Sequence, residues 1–208
     1  MRILGHRILG SGRRLAVYLE EKGIEIPFES IDLMAGDHRK PEFLAKNPAG
    51  LIPVLELDDG TCIAETVAIA RYLESLHPDP PFFGRNALEC AHLEMWQRIV
   101  EFGFYSEARA FYRHTHPALV ELEPVQVAAW GELSGRRAAE SLELLDRQLA
   151  NHEFIAGSAF SWADILVVTT VQSPFGAFEI PGGCTNVTRW YEAVSGRPSV
   201  LATTPGAG

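Results

Sequence analysis

The residues best suited to chemistry lie together in one short stretch. Asn47-Pro48-Ala49-Gly50-Leu51-Ile52-Pro53-Val54-Leu55 leads to Asp59-Gly60 and then to Glu65-Thr66, which opens an apolar helical pattern. A turn, a strand, a hairpin and a charged helix start follow one another there. Backbone groups beside Pro53, the Glu65 carboxylate, the Thr66 hydroxyl and the helix amides can together hold one small zwitterionic peptide. Glu65 and Thr66 can also serve the helix alone, as a dipole partner and a cap. A second turn, Gly10-Ser11-Gly12, stands directly before another helical pattern. Ser11 offers a hydroxyl donor beside helix amides, or an N-cap, and the glycines permit close backbone approach. Arg13 and Arg14 add positive charge there, or act as surface or ion-paired residues.

The elements that position these groups follow from periodicity and turn chemistry. Arg2-Ile3-Leu4 reads as a short strand. A helix with Leu15, Tyr18 and Leu19 on one stripe then ends at Gly23 in a C′ position. Pro27 to Leu33 alternates as a second strand, and a helical turn surrounds Pro41-Glu42-Phe43-Leu44. Val54–Leu57 and Thr61–Ile63 flank the hairpin signal Asp58-Asp59-Gly60. Val67, Ile69, Tyr72, Leu73 and Leu76 give the next helix. The order β-α-β-α-β-β-α describes a small α/β layer, with Pro53 at a strand head where its missing N–H is harmless. The breakers His77-Pro78-Asp79-Pro80-Pro81 then mark a linker.

Beyond it the patterns are helical. Leu88, Ala91, Met95, Ile99 and Phe102 step by three and four along one helix, and Ala138, Leu142, Leu145 and Leu149 along another. Ser161-Trp162-Ala163-Asp164 forms a capping box behind Phe160, and a last amphipathic stretch runs from Val187 through Trp190 and Tyr191 to Val194. The expected domains are 1–77, a linker at 78–86, and a helical bundle over 87–208.

Composition narrows the function. A formal net charge of -9 over 208 residues argues against nucleic acid as the main ligand, since phosphate binding needs a basic surface. No apolar run reaches the roughly 20 residues of a membrane span, and the start lacks a secretory core, so a cytoplasmic enzyme is expected. Cys62, Cys90 and Cys184 form no Cys-x-x-Cys pair and read as reduced, packed thiols. His114-x-His116 has no third ligand at a recognisable spacing, so no metal is expected.

Taken together, Glu20-Glu21-Lys22-Gly23, Glu42-Phe43-Leu44-x-x-Asn47-Pro48-x-Gly50-x-x-Pro53-Val54-Leu55, Glu65-Thr66-x-Ala68-Ile69-x-x-Tyr72-Leu73 and Phe160-Ser161-x-Ala163-Asp164-Ile165 resemble the glutathione transferase family. The resemblance is particularly to its soluble bacterial, theta-like, serine-type members. The resemblance implies a thioredoxin-like N-terminal domain, an all-helical C-terminal domain and a homodimer. It implies that Pro53 is cis and that Ile52 exchanges backbone hydrogen bonds with glutathione. Glu65 and Thr66 would hold its γ-glutamyl group; His38, with Arg39 or Lys40, would hold its glycine carboxylate. A solvated loop explains those three residues equally well.

Conjugation needs the thiolate, and a cysteine thiol's ordinary pKa of about 8.5 falls near helix N-termini and hydrogen-bond donors. Ser11 is therefore the candidate catalytic residue, although related bacterial sequences carry Pro-Asn-Pro where this chain has Gly10-Ser11-Gly12. No cysteine lies near the turn, which disfavours chemistry through an enzyme mixed disulfide. Phe102, Phe104, Tyr105, Phe111 and Tyr112 suit an apolar electrophile pocket, expected between the glutathione site and the first bundle helices, or a helical core. Arg109, Arg113 and His114 nearby fit a polar substrate or a solvated face. The expected activity is addition of the glutathione thiolate to a small hydrophobic electrophile. A glutathione-dependent peroxidase or disulfide reductase, and a non-catalytic binding module, are the alternatives.

Overall fold

The computed structural model describes residues 1–204, and the chain divides into two compact units. The first comprises Met1–Pro81 together with residues 198–204; the second is Phe82–Arg197.

The first unit opens with β1 (Arg2–Leu4), α1 (Gly10–Lys22) and β2 (Phe28–Glu29). A 3₁₀ turn at Asp37–Arg39 precedes α2 (Pro41–Leu44), β3 (Val54–Glu56), β4 (Cys62–Ala64) and α3 (Thr66–Leu76). The sheet order is β2-β1-β3-β4, with β2 parallel to β1 and the other pairs antiparallel. Side chains alternate across a strand, so this register sorts the core into two layers. Leu4 and Val54 meet Phe43 of α2 on one face. Ile3 and Leu55 point to the other and are fully buried there, with Leu15 and Leu19 of α1 and Ile69 and Leu73 of α3. Helices on both faces of a small mixed sheet make this unit thioredoxin-like.

Turn chemistry carries much of the layout. Gly23 closes α1 in the left-handed region at φ 64°, as a C′ glycine should. The Leu57–Gly60 turn joins β3 to β4, with Gly60 N–H donating to the Leu57 carbonyl at 3.0 Å. The second strand is shorter than its alternation predicts. Asp32 turns the chain away, its carboxylate accepting from Ala35 N–H at 2.8 Å and its carbonyl from Asp37 N–H at 3.0 Å.

The second unit contains α4 (Ala87–Ile99), a π-helical segment Val100–Tyr105, α5 (Ser106–Thr115), α6 (Ala128–Leu149), α7 (Trp162–Val171) and α8 (Thr185–Ser195). Helix α7 is buried on every side, and Asp164 at its start is fully buried. Asp164 accepts from Ser161 N–H and Oγ, Ile155 N–H and Trp190 Nε1, so the expected capping box also ties α7 to α8. The stripe on α6 is buried as its period predicts. The stripe from Leu88 to Phe102 is not: Leu88 is 67% exposed, Met95 46% and Phe102 65%. Nor is it one α-helix, because the π segment interrupts it at Val100.

After Arg197 the chain returns to the first unit as α9 (Pro198–Leu201), packed on α1. The sequence pattern assigns these residues to the helical domain. Among the described residues, no helix is long and apolar enough to cross a membrane, and no His/Cys/Asp/Glu group is arranged to hold a metal. The three cysteines are free thiols.

Candidate functional site

Sheet register brings the chemistry-bearing turns to one edge. Leu4, Val54 and Ala64 stand opposite one another on β1, β3 and β4. Because both pairs are antiparallel, the chain leaving Leu4, the chain entering Val54 and the chain leaving Ala64 meet at the same end of the sheet. Those three connections are Gly5-His6, Ile52-Pro53 and Glu65-Thr66.

Their contact is close. A Cβ placed on Gly5 would lie 3.2 Å from Pro53 Cβ and 3.6 Å from Ile52 Cβ. The Ile52–Pro53 bond is cis. Among the described residues, no hydrogen bond engages the Ile52 backbone, which leaves a donor and an acceptor at this edge. The first turn of α1 stacks on the next residue: a Cβ on Gly12 would come within 2.0 Å of the His6 carbonyl oxygen, so only glycine fits.

Glu65 is exposed, and it is the non-glycine residue held at positive φ, 67° with ψ 123°. Such strain persists where surrounding structure enforces it, and it clusters at functional sites. Glu65 occupies the N-cap position of α3 without a side-chain capping bond, and Thr66, 8% exposed, is the first helical residue. Helix α1 likewise begins behind Leu9 with no side-chain cap. Two helix N-termini with amides uncapped by side chains therefore rise from one sheet edge, where they favour anionic groups. The capping roles open to Ser11 and Thr66 are not the ones they fill. Ser11 is the second residue of α1, half-buried at its first turn.

The loop before β3 adds a buried imidazole. His38 is 8% exposed and its Nδ1 has no hydrogen-bond partner among the described residues. A Cβ on Gly50 would lie 3.2 Å from the His38 carbonyl oxygen, which seats the His38 turn against the turn that leads to Ile52. Arg39 is exposed, whereas Lys40 is paired with Asp37 at 2.6 Å and holds that carboxyl below its ordinary value. Asn47, which the motif contains but sequence reasoning gave no role, organises this turn. It is 5% exposed, donates to the Leu51 carbonyl at 2.7 Å and accepts from Ala49 N–H at 3.1 Å. An asparagine ahead of Pro-x-Gly was the signal for it.

Arg13 and Arg14 are buried, at 2% and 9% exposure, rather than lying on the surface. Farther along α1, Tyr18 donates to Glu74 at 2.7 Å, and burial first, then that bond, pushes its phenol far up. Lys22 joins Glu74 and donates to the carbonyls of His77 and Pro80, fastening the end of α3.

The aromatic candidates belong to the second unit, where they cluster. Phe111 lies 5.2 Å from Tyr112 and 6.0 Å from Phe178, and Phe104 lies 5.4 Å from Phe178. Tyr112 is 8% exposed and donates to the Gly176 carbonyl at 2.8 Å; its burial raises the phenol's pKa. Phe175 and Phe178, which no helical period announced, complete the cluster. Tyr112 thus presents little free surface, while Phe111 and Tyr105, which ends the π segment, are half-buried. Arg109 is exposed. Arg113 pairs with Glu123, and His114 accepts from Val127 N–H, so both hold the loop between α5 and α6.

Comparison with known proteins agrees with this layout. Residues 11–76 match the family described as "Glutathione S-transferase, N-terminal domain", and residues 132–198 match its C-terminal domain. Glutathione S-transferase 2 of Saccharomyces cerevisiae is 35% identical over 191 residues, covering 90% of this chain and 82% of that protein. The crystal structure of a glutathione S-transferase domain-containing protein of Marinobacter aquaeolei superposes with a TM-score of 0.90 at 34% identity. It covers 96% of this chain and 100% of that one. Elongation factor 1-gamma 2 of Oryza sativa is 29% identical over 170 residues, 80% of this chain but 39% of that protein.

Proposed function

Since the chain belongs to the glutathione S-transferase family, we propose that it binds glutathione at this sheet edge and adds its thiolate to a small hydrophobic electrophile. The observation that carries the reading is the meeting of the unengaged Ile52 peptide, beside cis Pro53, with the uncapped start of α3 at strained Glu65.

The residues fit glutathione by chemistry. Ile52 supplies a backbone donor and acceptor for the cysteinyl unit. Thr66 and the α3 amides suit the γ-glutamyl carboxylate, and the Glu65 carboxylate suits its ammonium. The orphaned imidazole nitrogen of His38 and the exposed Arg39 guanidinium suit the glycine carboxylate. Ser11 donates to the sulfur, and the amides of α1 add positive potential, so the thiol ionises below its ordinary range. Tyr105 and Phe111, both half-buried, line the electrophile pocket with Tyr112, which is buried and contributes through packing.

A second copy of the chain covers the exposed stripe Leu88, Met95, Ile99 and Phe102. Four apolar side chains on one face exceed the scattered exposure normal for a monomer.

The test is ultraviolet absorbance of bound glutathione thiolate against pH, followed by turnover with a simple aryl halide. A thiolate well below the free thiol's pKa, with halide turnover, supports the reading. Binding without a shift, and turnover only with a peroxide or mixed disulfide, replaces conjugation with reductive chemistry. A second reading, raised by the likeness to proteins named elongation factor 1-gamma, is a non-catalytic module that binds glutathione on the same fold. Binding without any turnover selects it, and no binding overturns both.

A further inference from the structure

The returning C-terminal segment reaches the tightly packed first turn of α1. Arg13 lies in the first turn of α1, 2% exposed, and its guanidinium is charged at every accessible pH. A buried charge needs polar partners, and a cation at a helix N-terminus opposes the dipole. Among the groups that engage it is Thr204, whose Oγ1 accepts from Arg13 Nη2 at 3.2 Å. That hydroxyl donates its own proton to the Val200 carbonyl at 2.9 Å, which turns a lone pair toward the guanidinium. Neighbouring Thr203 is fully buried and donates to the Ser199 carbonyl at 3.0 Å. Ser199 Oγ in turn donates to Glu21 at 2.5 Å.

Segment 198–204 therefore grips α1 twice, at Arg13 and at Glu21, eight residues or about 12 Å apart along the helix axis. The turn has little slack at Gly12 either, because a Cβ there would meet the His6 carbonyl. We infer that Thr204 is a positioning residue: through Arg13 it fixes the first turn of α1, and with it the Ser11 hydroxyl and the helix amides. The segment is a strap on the turn that activates the thiol. Donors aimed at a developing charge lose effect with small displacements, and the guanidinium itself raises the local positive potential.

The inference rests on the thiol-activation reading above, so two measurements separate their failures. Thr204→Val keeps shape and removes the hydroxyl; Thr204→Ser restores it; Thr204 is half-buried, so both fold. In the glutathione titration, Thr204→Val is expected to raise the bound thiol's pKa by about half a unit, a roughly threefold change in ionisation equilibrium. Glutathione affinity stays within about twofold, and Thr204→Ser behaves as the parent. Hydrogen exchange of the glutathione-free protein is expected to speed up in Thr204→Val at residues 13–16, whose amides bond the carbonyls of the first turn of α1, but not at residues 19–22. A parent with no thiolate shift overturns the activation reading, and the exchange result then judges the strap alone. Unchanged exchange at residues 13–16, or a Thr204→Val titration identical to a shifted parent, overturns the strap.

Discussion

Asn47 holds the Leu51 carbonyl from across its own turn, at 2.7 Å from Nδ2, and so sets the backbone that delivers Ile52 to the sheet edge. The same side chain accepts from Ala49 N–H at 3.1 Å. Asn47→Ala leaves a carbonyl and an amide without partners, at a cost of about 1–2 kcal/mol in stability. Weaker glutathione binding, several-fold, with little change in kcat is expected from calorimetry and steady-state kinetics. Equal loss of kcat would place Asn47 in the chemical step instead.

Glu65 separates stability from binding. Its positive φ is a conformation glycine adopts freely, so Glu65→Gly relieves backbone strain of order 1 kcal/mol while deleting the carboxylate. Thermal denaturation is expected to show a Tm equal to or above the parent's, and glutathione affinity is expected to fall about tenfold. A lower Tm would mean that the Glu65 side chain stabilises the fold.

Glu56 contributes to the acid stability of the first unit. Hydrogen bonds from Lys46 and then Arg2 hold its carboxyl below the ordinary value of 4.5. The folded protein thus prefers the ionised form. Its contribution is complete above that ordinary value and is lost as pH falls through the folded one. Urea midpoints for Glu56→Gln should lie below the parent's at neutral pH and converge with it in acid. Parallel curves down to pH 2 would exclude this linkage.

Asp164 concentrates four donors on one buried carboxylate, the nearest being Ser161 Oγ and Trp190 Nε1, each at 2.8 Å. Burial raises its pKa while those donors oppose the rise. Asp164→Ala strands several of them in the core and should cost at least about 3 kcal/mol. Denaturant unfolding checks this, and a loss below about 1 kcal/mol would show that water replaces the carboxylate.

Met95 and Phe102 test the exposed stripe. Met95→Glu with Phe102→Glu places charge on a face that is already in solvent in the single chain, so the fold should persist by circular dichroism. Sedimentation is expected to show the parent as a dimer and the double variant as a monomer. A monomeric parent removes the second copy from the proposal.

Local interactions made much of this protein legible in its sequence. The first unit's element order, the Gly23 helix end, the Asp59-Gly60 hairpin and the Ser161–Asp164 capping box each depend on residues a few positions apart. The fold family was legible for the same reason, because its motifs are turns and caps.

What required the tertiary structure depends on distant partners. Periodicity marks an apolar face but not what covers it. The α6 stripe is buried, and the equally periodic Leu88–Phe102 stripe faces solvent. Phe111 and Tyr112 could line a pocket or a core until Phe175 and Phe178 arrived from beyond α7 to pack on them. The sequence left Arg13 open as a surface or a paired residue, and its burial with Thr204, 191 positions later in the chain, is a tertiary fact. The candidate site itself arises from register: antiparallel pairing of β1, β3 and β4 sets Gly5, Ile52 and Glu65 at one edge, an adjacency that no local spacing encodes.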